Sequence, residues 1–190
     1  GRELFDKAFE IAEKSGIMCQ PKTYVSGGND AGAIHKSRGG VKVLTVSVPC
    51  RYLHSPACVL SGKDMKAVAD LAYEMYKKVG GEMKAKGSDI LLAPGMNIHR
   101  SPLCGRNFEY FSEDPFLAGI LAASYVNGLE ENGVGTCVKH YACNSQEHGR
   151  TINSSEISLR ALNEIYLRVF KYTLAHSNPT SIMTSYNRIN

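Results

Sequence analysis

Apolar residues recur along this chain with two alternating periods. From Arg2 to Lys14, Leu4, Phe5, Ala8, Phe9, Ile11 and Ala12 fall on one helical stripe that Ser15-Gly16 stops. Thr23 to Ser26 reads as a short strand, followed by the turn-forming cluster Gly27-Gly28-Asn29-Asp30. Val41 to Val48 is rich in β-branched residues and reads as a strand, with the polar tip CRYLHSP after Pro49. A second amphipathic helix is predicted from Lys63 to Val79, interrupted by Gly80-Gly81.

The same rhythm continues in the second half. A strand is predicted from Ile90 to Ala93 and ends at Pro94-Gly95. A helix begins at Asp114-Pro115, with Phe116, Leu117, Ile120, Leu121 and Leu129 on its apolar side and Gly133 just past its end. Val134 to Ala142 is the next strand. A single helix follows from about Ile157 to Leu174, with Leu162, Ile165, Tyr166, Val169 and Phe170 inward. Ser181 to Ser185 is the last strand. Alternating strands and helices predict an α/β fold whose parallel strands are joined by right-handed crossovers.

One stretch breaks the economy of this pattern. LLAPGMNIHRSPLCGRNFEYFSEDP, Leu91 to Pro115, spends about twenty residues on polar and turn-forming chemistry where a strand-to-helix loop needs about 2–6. Its aromatics Phe108, Tyr110 and Phe111 supply apolar area to anchor an ordered loop. In such folds ligands bind where strands end. Three consecutive strands deliver Arg100, Arg106 and Glu109, then Lys139 and His140, then Tyr186 and Asn187 to one edge. Donors, an acceptor and an aromatic hydroxyl suit a neutral, hydroxyl-rich small molecule such as a sugar. The bland alternative is that Arg106 and Glu109 pair with each other to staple the loop and that Lys139 is a solvated strand end.

Composition narrows the classes. The 190 residues suffice for one domain or two small ones, and 43% hydrophobic content supports a buried core. The formal net charge of +4 is dispersed, with no basic stripe, so nucleic acid is not an expected partner. No apolar run approaches the roughly 18 residues of a membrane span. The six cysteines (Cys19, Cys50, Cys58, Cys104, Cys137, Cys143) lie at irregular spacings without a CxxC pair, and read as buried free thiols of a cytoplasmic protein. The abrupt start in helix and stop after Tyr186-Asn187 suggest a fragment.

The motifs APGMNIHRSPLCGRNFEYFSEDP, VKHYACNSQEHGR and IMTSYNRIN follow in order at ordinary separations. With them, residues 85–190 resemble the amino-terminal barrel domain of family 3 glycoside hydrolases, the β-glucosidase type. The resemblance implies a partial β/α barrel, no cofactor, and sugar contacts from Arg106, Lys139, His140 and Tyr186, with Met183 lining the same pocket. It also implies retaining chemistry with two carboxylates. The nucleophile's Asp-Trp motif would lie beyond Asn190 and the acid in another domain, so no catalytic residue is assigned and turnover is left open.

NDAGAIHKSRGGVKVLTVSVPCRYLHSP, Asn29 to Pro56, carries a second resemblance. Residues 1–79 are similar to the carboxyl-terminal part of dinuclear-metal glutamyl-aminopeptidase or endoglucanase-type peptidases, with Asn29 in place of the usual Thr. This implies an α/β/α-like first half and His54 as one ligand of a zinc or cobalt pair. The other ligands are missing, and a lone imidazole is more often a polar strand-end histidine. The expected organisation is residues 1–80 and 81–190, with a seam near Tyr76 to Glu82. The chain thus reads as a chimera or stitched fragments, with a homo-oligomer or the remainder of a parent enzyme as protein partner. Three functions stay open: a β-glucosidase-like fragment that binds β-linked sugars, a metal-dependent aminopeptidase fragment, and an inactive α/β chimera.

Overall fold

The structure, a computed structural model, describes residues 1–24 and 28–190. It divides into two compact units, Gly1–Met75 and Tyr76–Asn190.

In the first unit, α1 (Arg2–Lys14) buries Ala8, Ile11 and Ala12, and exposed i,i+4 pairs such as Arg2–Asp6 (2.9 Å) run along its outer face. Ile11 and Ala12 form a small apolar cluster with Leu71, against which Ile17 and Met75 pack. The expected turn at Asn29 starts a helix instead. Asn29 caps α2 (Asp30–His35), its side chain accepting from the Gly32 N–H at 3.1 Å. β1 (Cys50–Arg51) and β2 (Val59–Leu60) form an antiparallel hairpin. The strand expected from Val41 to Val48 is absent, and that segment forms no ladder. β-propensity expresses a fit to a pleated, half-buried surface, and among the described residues of this unit the short β1-β2 hairpin does not take this segment up as a third strand. The strand expected from Thr23 to Ser26 lies partly outside the described residues, and Thr23 and Tyr24 are not in one.

α3 (Gly62–Ala85) runs straight through Gly80-Gly81, where a break was expected. The reason lies in packing. A Cβ on Gly80 would come 2.8 Å from the Leu129 carbonyl oxygen, so the glycine lets two helix backbones approach rather than ending one of them.

The second unit supplies the parallel strands. β3 (Ile90–Leu91), β4 (Gly135–Tyr141) and β6 (Ser181–Thr184) form one sheet in the order β3-β4-β6. β5 (Ser154–Ser155) pairs in parallel with β7 (Arg188–Ile189), and no closed barrel forms among the described residues. α4 (Pro115–Glu130) connects β3 to β4, and the Asp114 carboxylate caps it as predicted, accepting from the Phe116 and Leu117 N–H groups at 2.7 and 2.8 Å. Its buried face is not the expected stripe of large residues. Ala118, Gly119, Ala122, Ala123 and Val126 face inward with Leu129, while Phe116 is exposed. A helix that is apolar all round does not reveal its inner face by periodicity. Close packing selects the small side, because a Cβ on Gly119 would lie 2.9 Å from Tyr172 Cβ.

The helix expected from Ile157 to Leu174 is in three pieces: α5 (Leu159–Ala161), a π turn (Leu162–Tyr166) and α6 (Arg168–His176). The Leu167 N–H reaches back to the Leu162 oxygen at 2.8 Å. That extra residue rotates the face, so Ile165, expected inward, is exposed. Met96, Ile98, Ala122, Val126, Val138, Val169 and Phe170 make up most of the core between sheet and helices. At the sheet's amino edge, Glu130 Oε1 accepts from the N–H and hydroxyl of both Thr136 and Thr180, at 2.7 to 3.1 Å. Cys104, Cys137 and Cys143 are buried free thiols, but Cys19 and Cys58 are exposed and Cys50 is half-buried, contrary to the expectation for all six. No described helix is long and apolar enough to cross a membrane.

The two adjacent glycines of α3 make opposite predictions. Gly80→Ala gains about 1 kcal/mol of helix propensity but meets backbone, so a net loss of about 1–2 kcal/mol is expected. Gly81→Ala meets only the Asn132 side chain at 3.6 Å and is expected to be neutral or stabilising by up to ~1 kcal/mol. Urea unfolding midpoints of the two variants test the difference.

Candidate functional site

The site is built on an irregularity at the carboxyl end of β4. Lys139 pairs with Met183 on β6, but the next paired residue is Tyr141, opposite Thr184, so His140 is an extra residue in the strand. Such a bulge bends the strand and re-aims its side chains. His140 is buried here and Tyr141 is exposed. The peptide bonds Lys139–His140 and Tyr141–Ala142 are cis. The chain leaving β3 stays alongside, with the Lys139 N–H donating to the Pro94 oxygen (3.0 Å) and the Met96 N–H to the Lys139 oxygen (2.8 Å). One residue on, Asn97 takes over with its side chain. Its Nδ2 donates to the His140 carbonyl and its Oδ1 accepts from the His140 N–H, both at 2.9 Å.

Above this edge, Glu109 divides its carboxylate between two cations. Oε1 accepts from Arg106 Nε, and Oε2 lies 3.2 Å from Lys139 Nζ. All three side chains are about four-fifths or more buried. Burial alone would raise the Glu109 pKa, but the bonds from Arg106 and Lys139 outweigh it and hold the carboxyl below its ordinary range. Gly95 makes the arrangement fit, because a Cβ there would sit 3.1 Å from both Glu109 Oε2 and the Tyr110 ring.

A second polar chain begins at the imidazole. His140 Nδ1 lies 3.3 Å from both the Asn97 Oδ1 and the Tyr110 hydroxyl. Asn144 Nδ2 donates to the Tyr110 hydroxyl (3.2 Å) and to Glu147 Oε1 (2.9 Å), and Glu147 Oε2 accepts from Arg150 at 2.9 Å. The Arg150 guanidinium lies over the Tyr186 ring at 5.1 Å. Burial, then the charges of Arg106 and Lys139, lower the His140 pKa to about 4, so the ring is neutral near neutral pH.

The sequence-predicted residues therefore divide into those the fold gathers and those it does not. Arg106, Lys139 and His140 converge at one strand end, and Met183 is the register partner of Lys139. The expected staple between Arg106 and Glu109 is present, whereas Lys139 is largely buried instead of solvated. Tyr186 is 68% exposed and is reached through Arg150. His54 is exposed in a turn of the first unit at φ 64°. No group of three or more metal-ligating side chains occurs among the described residues, so they do not fit the zinc or cobalt pair. Asn97, Tyr110, Asn144, Glu147 and Arg150 were missed as members of the network. The i,i+3 pair Glu147–Arg150 in the polar loop after β4 was the one signal open to sequence reading.

The sequence profile of the glycosyl hydrolase family 3 N terminal domain matches residues 57–190. The chain belongs to this family. As a family 3 chain it is 48% identical over 136 residues to β-glucosidase B of Emericella nidulans, covering 70% of this chain and 16% of that protein. It is 40% identical over 159 residues to the thermostable β-glucosidase B of Acetivibrio thermocellus, 83% of this chain and 20% of that one. Among solved structures, β-glucosidase 3B from Thermotoga neapolitana in complex with glucose is similar at 51% identity and a TM-score of 0.63, covering 64% of this chain and 17% of that one. This family 3 chain thus spans less than a quarter of the length of these relatives. The profile of the M42 glutamyl aminopeptidases matches the shorter stretch 1–71.

The depressed His140 pKa carries a signed prediction. Between about 6.5 and about 4 the unfolded chain binds a proton that the folded chain refuses, so stability falls as pH is lowered through that window. From about pH 7 to about pH 5 the loss is expected to be about 2 kcal/mol. Glu109, with its lowered pKa, loses its contribution only as pH falls below the ordinary carboxylate value of 4.5. Urea midpoints at the two pH values, compared between the wild type and His140→Gln, test this. The variant should lose most of the pH slope.

Proposed function

We propose that this chain forms the sugar-binding wall of a β-glucosidase-type subsite. Arg106 and Lys139 donate to sugar hydroxyls, the neutral His140 ring supplies a further polar contact, and Tyr186 and Met183 border the ring of the sugar. The observation that carries the reading is the convergence of Arg106, Lys139 and His140 at one strand end, two cations braced by a single carboxylate. The names of the relatives, β-glucosidases, and the glucose in one of the similar structures support sugar as the ligand class.

Retaining glycoside hydrolysis needs a nucleophilic carboxylate and an acid. Glu109 and Glu147 are both committed to cations and amides, which suits holding better than attack. In this reading the catalytic pair lies in other parts of a longer protein, and the 190-residue chain binds sugar weakly without hydrolysing it. Ligand-detected NMR on the chain is expected to show D-glucose binding in the millimolar range, weakened about tenfold or more by Lys139→Met. Hydrolysis of an aryl β-glucoside by the purified chain would overturn it.

The match of residues 1–71 to the aminopeptidase profile supports a second reading, in which the chain joins an aminopeptidase-like segment (1–80) to a family 3 segment (81–190). His54 would be its remaining zinc or cobalt ligand, and a homo-oligomer or the rest of a parent enzyme its protein partner. Cobalt- or zinc-stimulated release of an amino-acid anilide would promote this reading, and no release is expected.

A further inference from the structure

Two cations face one strand end, yet a single carboxylate lies between them. Arg106 is engaged through Nε, which leaves the two terminal amino groups of its guanidinium as donors without a partner among the described residues. Lys139 uses one of its three donors on Glu109. The second arginine of the edge, Arg150, is matched by Glu147. The edge therefore keeps several unspent donors while most of its positive charge is cancelled. Gly95 is a separate sign that the carboxylate's place is built in, because a Cβ there would come 3.1 Å from Glu109 Oε2, closer than ordinary contact.

We propose that Glu109 is a positioning residue that sets charge specificity: by sharing its carboxylate between Arg106 and Lys139 it fixes both and makes the edge select neutral over anionic sugars. Hydroxyl groups need donors in place but gain little from net charge. A carboxylate- or phosphate-bearing sugar gains from net charge above all. Without the Glu109 charge the same two cations form a fork suited to an anion.

The inference rests on the sugar-subsite reading, and its test separates the two. Affinities for D-glucose and D-glucuronate are measured at low ionic strength on the 190-residue chain, on Glu109→Gln and on Glu109→Gln combined with Lys139→Met. The exposed Glu164→Gln controls for bulk charge. The wild type is expected to favour glucose. Glu109→Gln is expected to shift the glucose-to-glucuronate preference by about tenfold or more toward glucuronate, and the double variant to lose that gain. Loss of both sugars by a folded Glu109→Gln, with no anion gained, overturns the proposal and leaves Glu109 a simple brace. If the wild type binds neither sugar, the subsite reading falls. The charge role is then decided by whether inorganic sulfate raises the urea midpoint of Glu109→Gln but not of the wild type. If Glu109→Gln does not fold alone, its folding is followed with inorganic sulfate added: recovery by sulfate that the double variant does not show supports the charge role, and no recovery overturns it.

Discussion

The carboxamide of Asn97 completes the backbone hydrogen bonding of β4 at the point where the strand departs from its regular ladder. The bulge at His140 leaves a peptide N–H and carbonyl without the neighbours a regular parallel pair would provide, and a buried unpaired backbone group costs about 1–3 kcal/mol. Asn97 meets both with one planar group, in the geometry of a peptide. The irregularity can then be kept. With it come the inward His140 ring and the position of Lys139 beside Glu109.

From that fixed point the polar groups spread in two directions. One branch is ionic, Arg106 and Lys139 sharing Glu109. The other is neutral, running from His140 through Tyr110 and Asn144 to Glu147 and Arg150. The low dielectric that strengthens the ionic branch also keeps the imidazole uncharged, so two cations and a histidine stand together without a third positive charge.

Much of this was legible in the sequence, and what was not has physical reasons. The Pro94-Gly95 strand exit, the Asp114 cap and the three parallel strands follow from local chemistry that the fold leaves intact. Lys139 and His140 could be named because they follow an apolar run, and Arg106 because it stands in the long polar loop that leaves the preceding strand. Asn97 and Tyr110 could not, since their roles depend on a bulge 43 and 30 residues away in the chain, and no local pattern encodes it. The Val41 to Val48 segment fails for the converse reason: its composition suits a sheet, but the short β1-β2 hairpin of its unit does not take it up. Gly80 and the inner face of α4 show that small residues can mark close packing as well as a break or an indifferent surface. The π turn shows that one inserted residue reverses an inside-outside assignment.

Glu130 gives the sheet something that its connections cannot. Antiparallel neighbours inherit their stagger from a tight turn, whereas parallel ones joined by a helix have no such ruler. By gathering Thr136 and Thr180 on a single oxygen, Glu130 aligns the starts of β4 and β6. The heights at which Lys139 and Met183 emerge at the opposite end are thereby measured off from a common origin. The placement of Lys139 and Met183 is, in this fold, decided at the opposite edge.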